Sequence, residues 1–160
     1  MLEPLGPDSW TGDGGIVPFL GYDYPTRMAV VRLDDGGLWI WSPVELTADI
    51  ERQVRALGPV RHLVSPNKLH YLFLDAWQKA FPDARMWGTR STIAKLAALS
   101  FSGTLGDDPP PEWAGQIDQF HFTNSPLLDE LLFYHRASRT AIIADLSQPF
   151  SKAFLARHWP

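Results

Sequence analysis

A short strand-like segment with three apolar residues in five, Val60–Val64 (VRHLV), ends in the polar turn Ser65-Pro66-Asn67-Lys68 and passes at once into an amphipathic stretch that reaches Trp77. A strand that hands over directly to a helix constrains the chain to a layered α/β arrangement, because the helix must bury its apolar stripe against the sheet. In such layers chemistry collects at the carboxyl edge of the strands, where the strand-to-helix turns lie. Here that turn carries Asn67, Lys68 and His70 within four positions.

The neighbouring segments supply the rest of the layers. Residues 27–33 (RMAVVRL) and 38–42 (LWIWS) flank the turn Asp34-Asp35-Gly36-Gly37 and predict a β-hairpin. Both strands are apolar at nearly every position, so both faces of the sheet should be covered. Residues 16–20 are expected as an edge strand, the position that suits Pro18. A helix is predicted over 47–57, with Thr47 as N-cap and Leu46, Ile50, Val54 and Leu57 as its stripe; Gly58 and Pro59 end it.

After Val60–Val64, a helix is predicted from about 68 to 81, stopped by Pro82. A strand over 84–88 and a helix over 91–99 follow. Residues 102–115, with three consecutive prolines, read as loop. A strand over 117–122, a hairpin of 128–135 with 140–144 around the turn 136–139, and a helix over 151–158 complete the order. Two sheets covered by helices accommodate this order better than one doubly wound sheet, and the 160 residues are expected to form one domain.

Composition excludes several classes. The chain has no cysteine, which removes disulfide frameworks, thiolate zinc sites and cysteine nucleophiles. Its formal net charge of −4, without a Lys/Arg run, argues against a nucleic-acid surface. No apolar run approaches the roughly 20 residues that span a bilayer, and residues 1–15 lack the basic start and apolar centre of a secretory signal. A cytoplasmic protein with no membrane partner is the expectation.

The segments YPTRMAVVRL (24–33), GGLWIWSPVEL (36–46), LGPVRHLVSPNKLHYLFL (57–74), FPDARMW (81–87) and FYHRASRTAIIADL (133–146) resemble an uncharacterised family within the metallo-β-lactamase-like superfamily. The resemblance runs from about Asp23 to Phe150. It implies an α+β fold, the αββα sandwich, with part of the second layer lying outside this sequence, since superfamily domains continue with further strands and another metal histidine. Metal-binding members carry Thr-His-x-His-x-Asp-His after the strand matching Val60–Val64. Here those positions read Ser65-Pro66-Asn67-Lys68-Leu69-His70-Tyr71. Pro66 and Lys68 replace two histidines, His70 replaces the aspartate, and Tyr71 stands where even the resembled family keeps a histidine. The later Gly-His turn is lost around Ser125-Pro126. Asp145 matches the superfamily's bridging aspartate, and the ordinary dinuclear zinc site cannot be assembled.

Hairpin register supplies a separate expectation. A four-residue turn at 136–139 sets His135 opposite Thr140, and counting outward sets Glu130 opposite Asp145. Opposed residues share a face with Cβ atoms about 5 Å apart, so the two carboxylates need a proton, a cation or a basic group between them. With His70 they would form one imidazole and two carboxylates, a ligand set for one zinc, iron or manganese ion. His135 falls at the far end of the hairpin, ~15 Å from Asp145 at strand rise.

Each residue also has a structural reading. Asn67 is expected as an N-cap, Lys68 as a solvated side chain or the holder of an anionic substrate, and His70 as a core histidine or a ligand. Asp145 and Glu130 have capping and salt-bridging alternatives. His62 and His121 are read as structural, and Trp39, Trp41, Trp77 and Trp87 as core. Tyr22, Asp23, Tyr24 and Arg27 could edge a pocket, and Tyr71 could line it. Two functions stay open: a hydrolase-like enzyme using a metal-held water on an ester, amide or phosphoester, with His70, Lys68 and Asp145 at work, or a metal-free module binding a small molecule or anion. Lys68 favours the second, since an ammonium repels a nearby cation.

Overall fold

The computed structural model describes residues 1–19, 21–123 and 129–147. The helix expected over 151–158 lies outside them, as do position 20 of the expected edge strand and position 128 of the second hairpin.

Seven strands form the larger sheet in sequence order: β1 (Leu2–Gly6), β2 (Ser9–Phe19), β3 (Tyr22–Arg32), β4 (Leu38–Trp41), β5 (Val60–Val64), β6 (Arg85–Gly88) and β7 (Gly103–Thr104). β1 to β4 pair antiparallel, and β4 to β7 pair parallel. The parallel connections carry the helices α1 (Ala48–Leu57), α2 (Leu74–Ala80) and α3 (Arg90–Lys95). A second, antiparallel sheet contains β8 (Ile117–Phe122), β9 (Glu130–His135) and β10 (Thr140–Ile142), with β9 in the middle.

The uninterrupted apolar strands are explained by burial on both faces. Met28, Val30, Leu38, Ile40, Leu63 and Met86 pack against Ile50 and Val54 of α1 and Leu74 and Trp77 of α2. The alternate residues Ala29, Val31, Trp39, Trp41, Val64 and Trp87 meet Ile117, Leu131, Phe133 and Ile142 of the second sheet. Side chains that alternate along a strand therefore serve two different cores. Thr47 caps α1 as its sequence predicts, its hydroxyl accepting from the Ile50 N–H at 3.3 Å. Among the described residues, no helix is long and apolar enough to cross a membrane.

Several elements differ from the expectation; α3, expected to reach residue 99, ends at Lys95. The sheet begins at β1, well before the predicted hairpin, because the Gly-rich β2 is held by pairing with β3 and not by its own propensity. Residues 102–115 are not all loop: Gly103 and Thr104 pair with Trp87 and Gly88. Gly103 permits this approach, since a Cβ there would stand 2.5 Å from the Trp87 ring. α2 starts at Leu74, six positions later than expected, for reasons that lie in the site. β10 ends at Ile142, so the register stops at Ile142↔Phe133 and Glu130 and Asp145 are not a cross-strand pair. The nearer part of that register, Thr140↔His135, is as expected.

His62 is sealed between the sheets: its Nδ1 accepts from Trp87 Nε1 at 3.1 Å, and its ring meets Trp113 edge-on at 5.2 Å. Burial pushes its pKa down to about 4 from 6.5. The unfolded chain thus takes up this proton at higher pH than the folded one. Stability is complete above pH 6.5 and declines as pH falls toward 4, by on the order of 3 kcal/mol from this group. His62→Gln, which keeps an acceptor for Trp87, is expected to flatten the fall of the urea midpoint between pH 7 and 4.5; an unchanged slope would remove His62 from the account.

Candidate functional site at the carboxyl edge

β4 and β5 both end in Ser-Pro, at Ser42-Pro43 and Ser65-Pro66, and the two serines organise the edge. The Ser42 N–H continues the ladder onto the Val64 carbonyl at 2.9 Å, and the Ser65 N–H onto the Trp87 carbonyl at 3.0 Å. Ser65, fully buried, directs its hydroxyl at the Asn67 and His70 carbonyls, each at 2.9 Å. Asn67 Oδ1 accepts the Leu69 N–H at 2.8 Å, closing an Asx turn. These side chains compete with helical hydrogen bonding. That competition is why residues 68–73 form successive turns and why Asn67 is not the N-cap of α2, whose N-cap is Phe73 without a side-chain bond.

The turn aims His70 at the edge while Leu74, Trp77 and Phe81 enter the core. His70 Nδ1 lies 2.6 Å from Ser42 Oγ, and its Nε2 lies 3.2 Å from Asp145 Oδ2. Its ring also tilts against Trp41, with centroids 5.8 Å apart. The second sheet delivers Asp145 from the turn after β10. Asn67 Nδ2 donates to Asp145 Oδ2 at 2.8 Å and to Glu130 Oε2 at 3.1 Å. An amide NH₂ therefore fills the place between two carboxylates where a cation would be expected.

Glu130 is fully buried, and both its oxygens are occupied. Oε1 accepts from the N–H groups of Ala144 at 3.0 Å and Leu146 at 3.4 Å, and Oε2 from Asp145 at 2.8 Å and from Asn67. Four donors exhaust a carboxylate's four acceptor sites. Glu130 is thus the anchor of the Asp145 turn, which corrects its reading as a metal ligand.

The remaining expected residues divide. Lys68 stands half-buried on the same turn, and its carbonyl accepts from Lys95 Nζ at 2.9 Å. Tyr71 is turned away: its ring packs against the helix-side core with Lys95 Nζ 4.0 Å above it. Arg27 is paired with Asp13 at 2.5 Å and lines, with Trp41, a groove of about 260 Å³ between β3 and β10. Tyr24 meets Phe19 edge-on at 5.9 Å, further along the β2–β3 hairpin.

A second histidine–carboxylate pair shares this edge. His121 Nε2 lies 3.3 Å from Asp129 Oδ2, and Ser91 Oγ donates to Asp129 Oδ1 at 2.5 Å. Burial would raise the Asp129 pKa, but hydrogen bonds from Ser91, Thr89, His121 and the residue's own N–H outweigh it and hold the carboxyl below its usual range. His135, at the other end of β9, is buried against Ser138 at 2.7 Å. Ser42, Ser65 and Asp129 were missed in the sequence. The repeated Ser-Pro at consecutive parallel strand ends is the signal that points to the first two.

The superfamily that the sequence resembles implies a metal centre, and these residues do not fit one. Among the described residues no group of three or more His, Asp and Glu side chains is placed to hold a metal ion. Both ring nitrogens of His70 are engaged, Glu130 has no spare acceptor, and the Asn67 N–H groups stand between the carboxylates.

This arrangement of two sheets and a helical layer is that of the metallo-β-lactamases. The DIM-1 metallo-β-lactamase exposed to ceftazidime superposes with a TM-score of 0.66 at 17% identity over 84% of this chain and 64% of that one. The metallo-β-lactamase from Pontibacter korlensis gives 0.64 at 14% identity over 84% and 66%. BLEG-1, a B3 metallo-β-lactamase, gives 0.54 at 14% over 87% and 73%. This chain spans just under two thirds of the first two. None of the curated proteins compared matches it significantly. Residues 15–152 match DUF4336, a domain of unknown function, and the chain belongs to that family.

The saturation of Glu130 has a measurable consequence. Glu130→Gln would turn an NH₂ toward donors and remove charge from the remaining bonds, each worth about 1.5–3 kcal/mol. A loss of about 2–4 kcal/mol is expected in chemical denaturation at neutral pH. Wild-type stability in this variant would contradict the anchoring role.

Proposed function

We propose that the protein is a hydrolase-like enzyme for small ester substrates in which His70, oriented by Asp145, is the acid–base residue. The observation that carries this reading is the His70 ring held between Ser42 and Asp145 at a position on the carboxyl edge that leaves 24% of its side chain exposed. An imidazole fixed in one tautomer by a carboxylate is the commonest protein group for moving a proton near neutral pH. Of the superfamily's histidine-rich motif the chain has a single histidine, His70 at the aspartate position, with Pro66, Lys68 and Tyr71 in place of the histidines. The donor set around Asp145 and Glu130 supports acid–base chemistry by these side chains over a bound metal. Lys68 would steady negative charge on a substrate entering at the turn.

A metal-free small-molecule or anion-binding module is the second reading, favoured by two lysines at this turn, Lys68 on it and Lys95 of α3, whose Nζ donates to the Lys68 carbonyl. Turnover separates the two. Protein dialysed against EDTA is expected to hydrolyse p-nitrophenyl esters, and His70→Ala to lower kcat about 10²–10⁴-fold. Lys68→Ala is expected to raise KM for anionic substrates with less effect on kcat. Binding of anions without any turnover would favour the module, and hydrolysis undiminished in His70→Ala would overturn the enzyme reading.

A further inference from the structure

We propose that Ser42 is the nucleophile of this site and that its substrate is an acyl ester or thioester with a short apolar acyl group. The inference rests on the acid–base reading of His70 and Asp145. Proton positions follow from the hydrogen bonds. Asp145 Oδ2 already accepts from Asn67 Nδ2, and an ionised carboxylate has no proton to give, so His70 Nε2 carries the hydrogen directed at it. A neutral ring then has its lone pair on Nδ1, and the Ser42 hydroxyl donates to it at 2.6 Å. The serine proton is aligned with a base whose other side is braced by a carboxylate, the arrangement that activates a hydroxyl nucleophile.

The backbone at Ser42 supports the same role. Its φ is +49°, in the left-handed region that glycine occupies without cost and serine does not. The bend comes directly after β4 and is held by the Ser42 N–H on the Val64 carbonyl and by Trp77 Nε1 on the Val44 carbonyl at 2.7 Å. Strained conformations of this kind persist where the surroundings over-determine them, and a sharp turn at a strand end is how other hydrolases present a serine. Trp41 adds an independent observation. It contacts the His70 ring, lines the groove beside Met28, Ile142 and Ile143, and has a buried indole N–H with no acceptor among the described residues. The acyl group of a substrate would lie in that groove, beside the Trp41 and His70 rings.

In the step, Ser42 Oγ bonds to the acyl carbon and its proton moves to His70 Nδ1. The bond from carbon to the leaving alcohol or thiol breaks, and that group takes the proton from Nδ1. Water, deprotonated by the same nitrogen, then attacks the acyl-serine, and the serine regains its hydrogen as the acid departs.

The test uses p-nitrophenyl butyrate for turnover and a fluorophosphonate for trapping, in which Oγ displaces fluoride. Intact-mass and peptide analysis are expected to place one adduct on Ser42. Ser42→Gly, chosen because glycine suits the positive φ, is expected to fold with an unchanged or higher melting midpoint, to take no adduct and to lose turnover at least 10²-fold, about as much as His70→Ala. Turnover in Ser42→Gly within about twofold of wild type, with no adduct in wild type, would overturn Ser42 as nucleophile; a loss confined to His70→Ala would then leave His70 acting on water. Full activity in both variants, or none in wild type, would overturn this inference and the acid–base reading together.

Discussion

The buried carboxylate of Glu130 is the interaction on which the edge of this molecule depends. Taking an ionised carboxylate out of water costs several kcal/mol even after relaxation, and the charge persists only if donors surround it. Here they come from two places that the chain separates widely: the Ala144–Leu146 turn and the Asn67 side chain. One side chain thus fixes the turn that presents Asp145 and ties it to the turn that presents His70. The Leu131 N–H on the Pro66 carbonyl at 2.9 Å joins the same two segments through the backbone.

Around that anchor, the two sheets contribute different chemistry. The larger one supplies hydroxyl and imidazole groups from strand ends and the turns beyond them, because its parallel strands deliver consecutive turns to one edge. The smaller one supplies carboxylates from its rim. His70 with Asp145 is a pair across that seam, and Ser91 reaches across it to Asp129, which His121 meets within the smaller sheet. The fold is that of the metallo-β-lactamases, and the groups at its edge are hydrogen-bonded to one another, in keeping with the rule that chemistry is set by sites grafted on folds. Asn67 is the clearest case, since its amide brings hydrogen-bond donors between Asp145 and Glu130, where a cation-binding site needs acceptors.

Much of the layering was legible residue by residue. Strands apolar at nearly every position, at 27–33 and 38–42, signalled burial on both faces, and Thr47, Gly58 and Pro59 bounded a helix by their capping chemistry. The carboxyl edge was located by the strand-to-turn junction at Val64. Other features had no local signal. β2 is rich in glycine and is a strand because β3 lies beside it; α2 is short because Ser65 and Asn67 hold the backbone before Leu74. The two-residue β7 depends on a glycine that lets the backbone approach an indole.

By itself the sequence determined which residues could be buried, where helices could start and stop, and which titratable groups stood near a strand end, since those follow from side-chain type and spacing along a short stretch. Only the tertiary structure decided what each of those groups meets. Ser42 and His70 are 28 positions apart and Asn67 and Asp145 are 78 apart, and no periodicity encodes such pairings. The choice between a ligand, an anchor and an acid–base group is made by hydrogen-bond partners, and those exist only once the two sheets have packed.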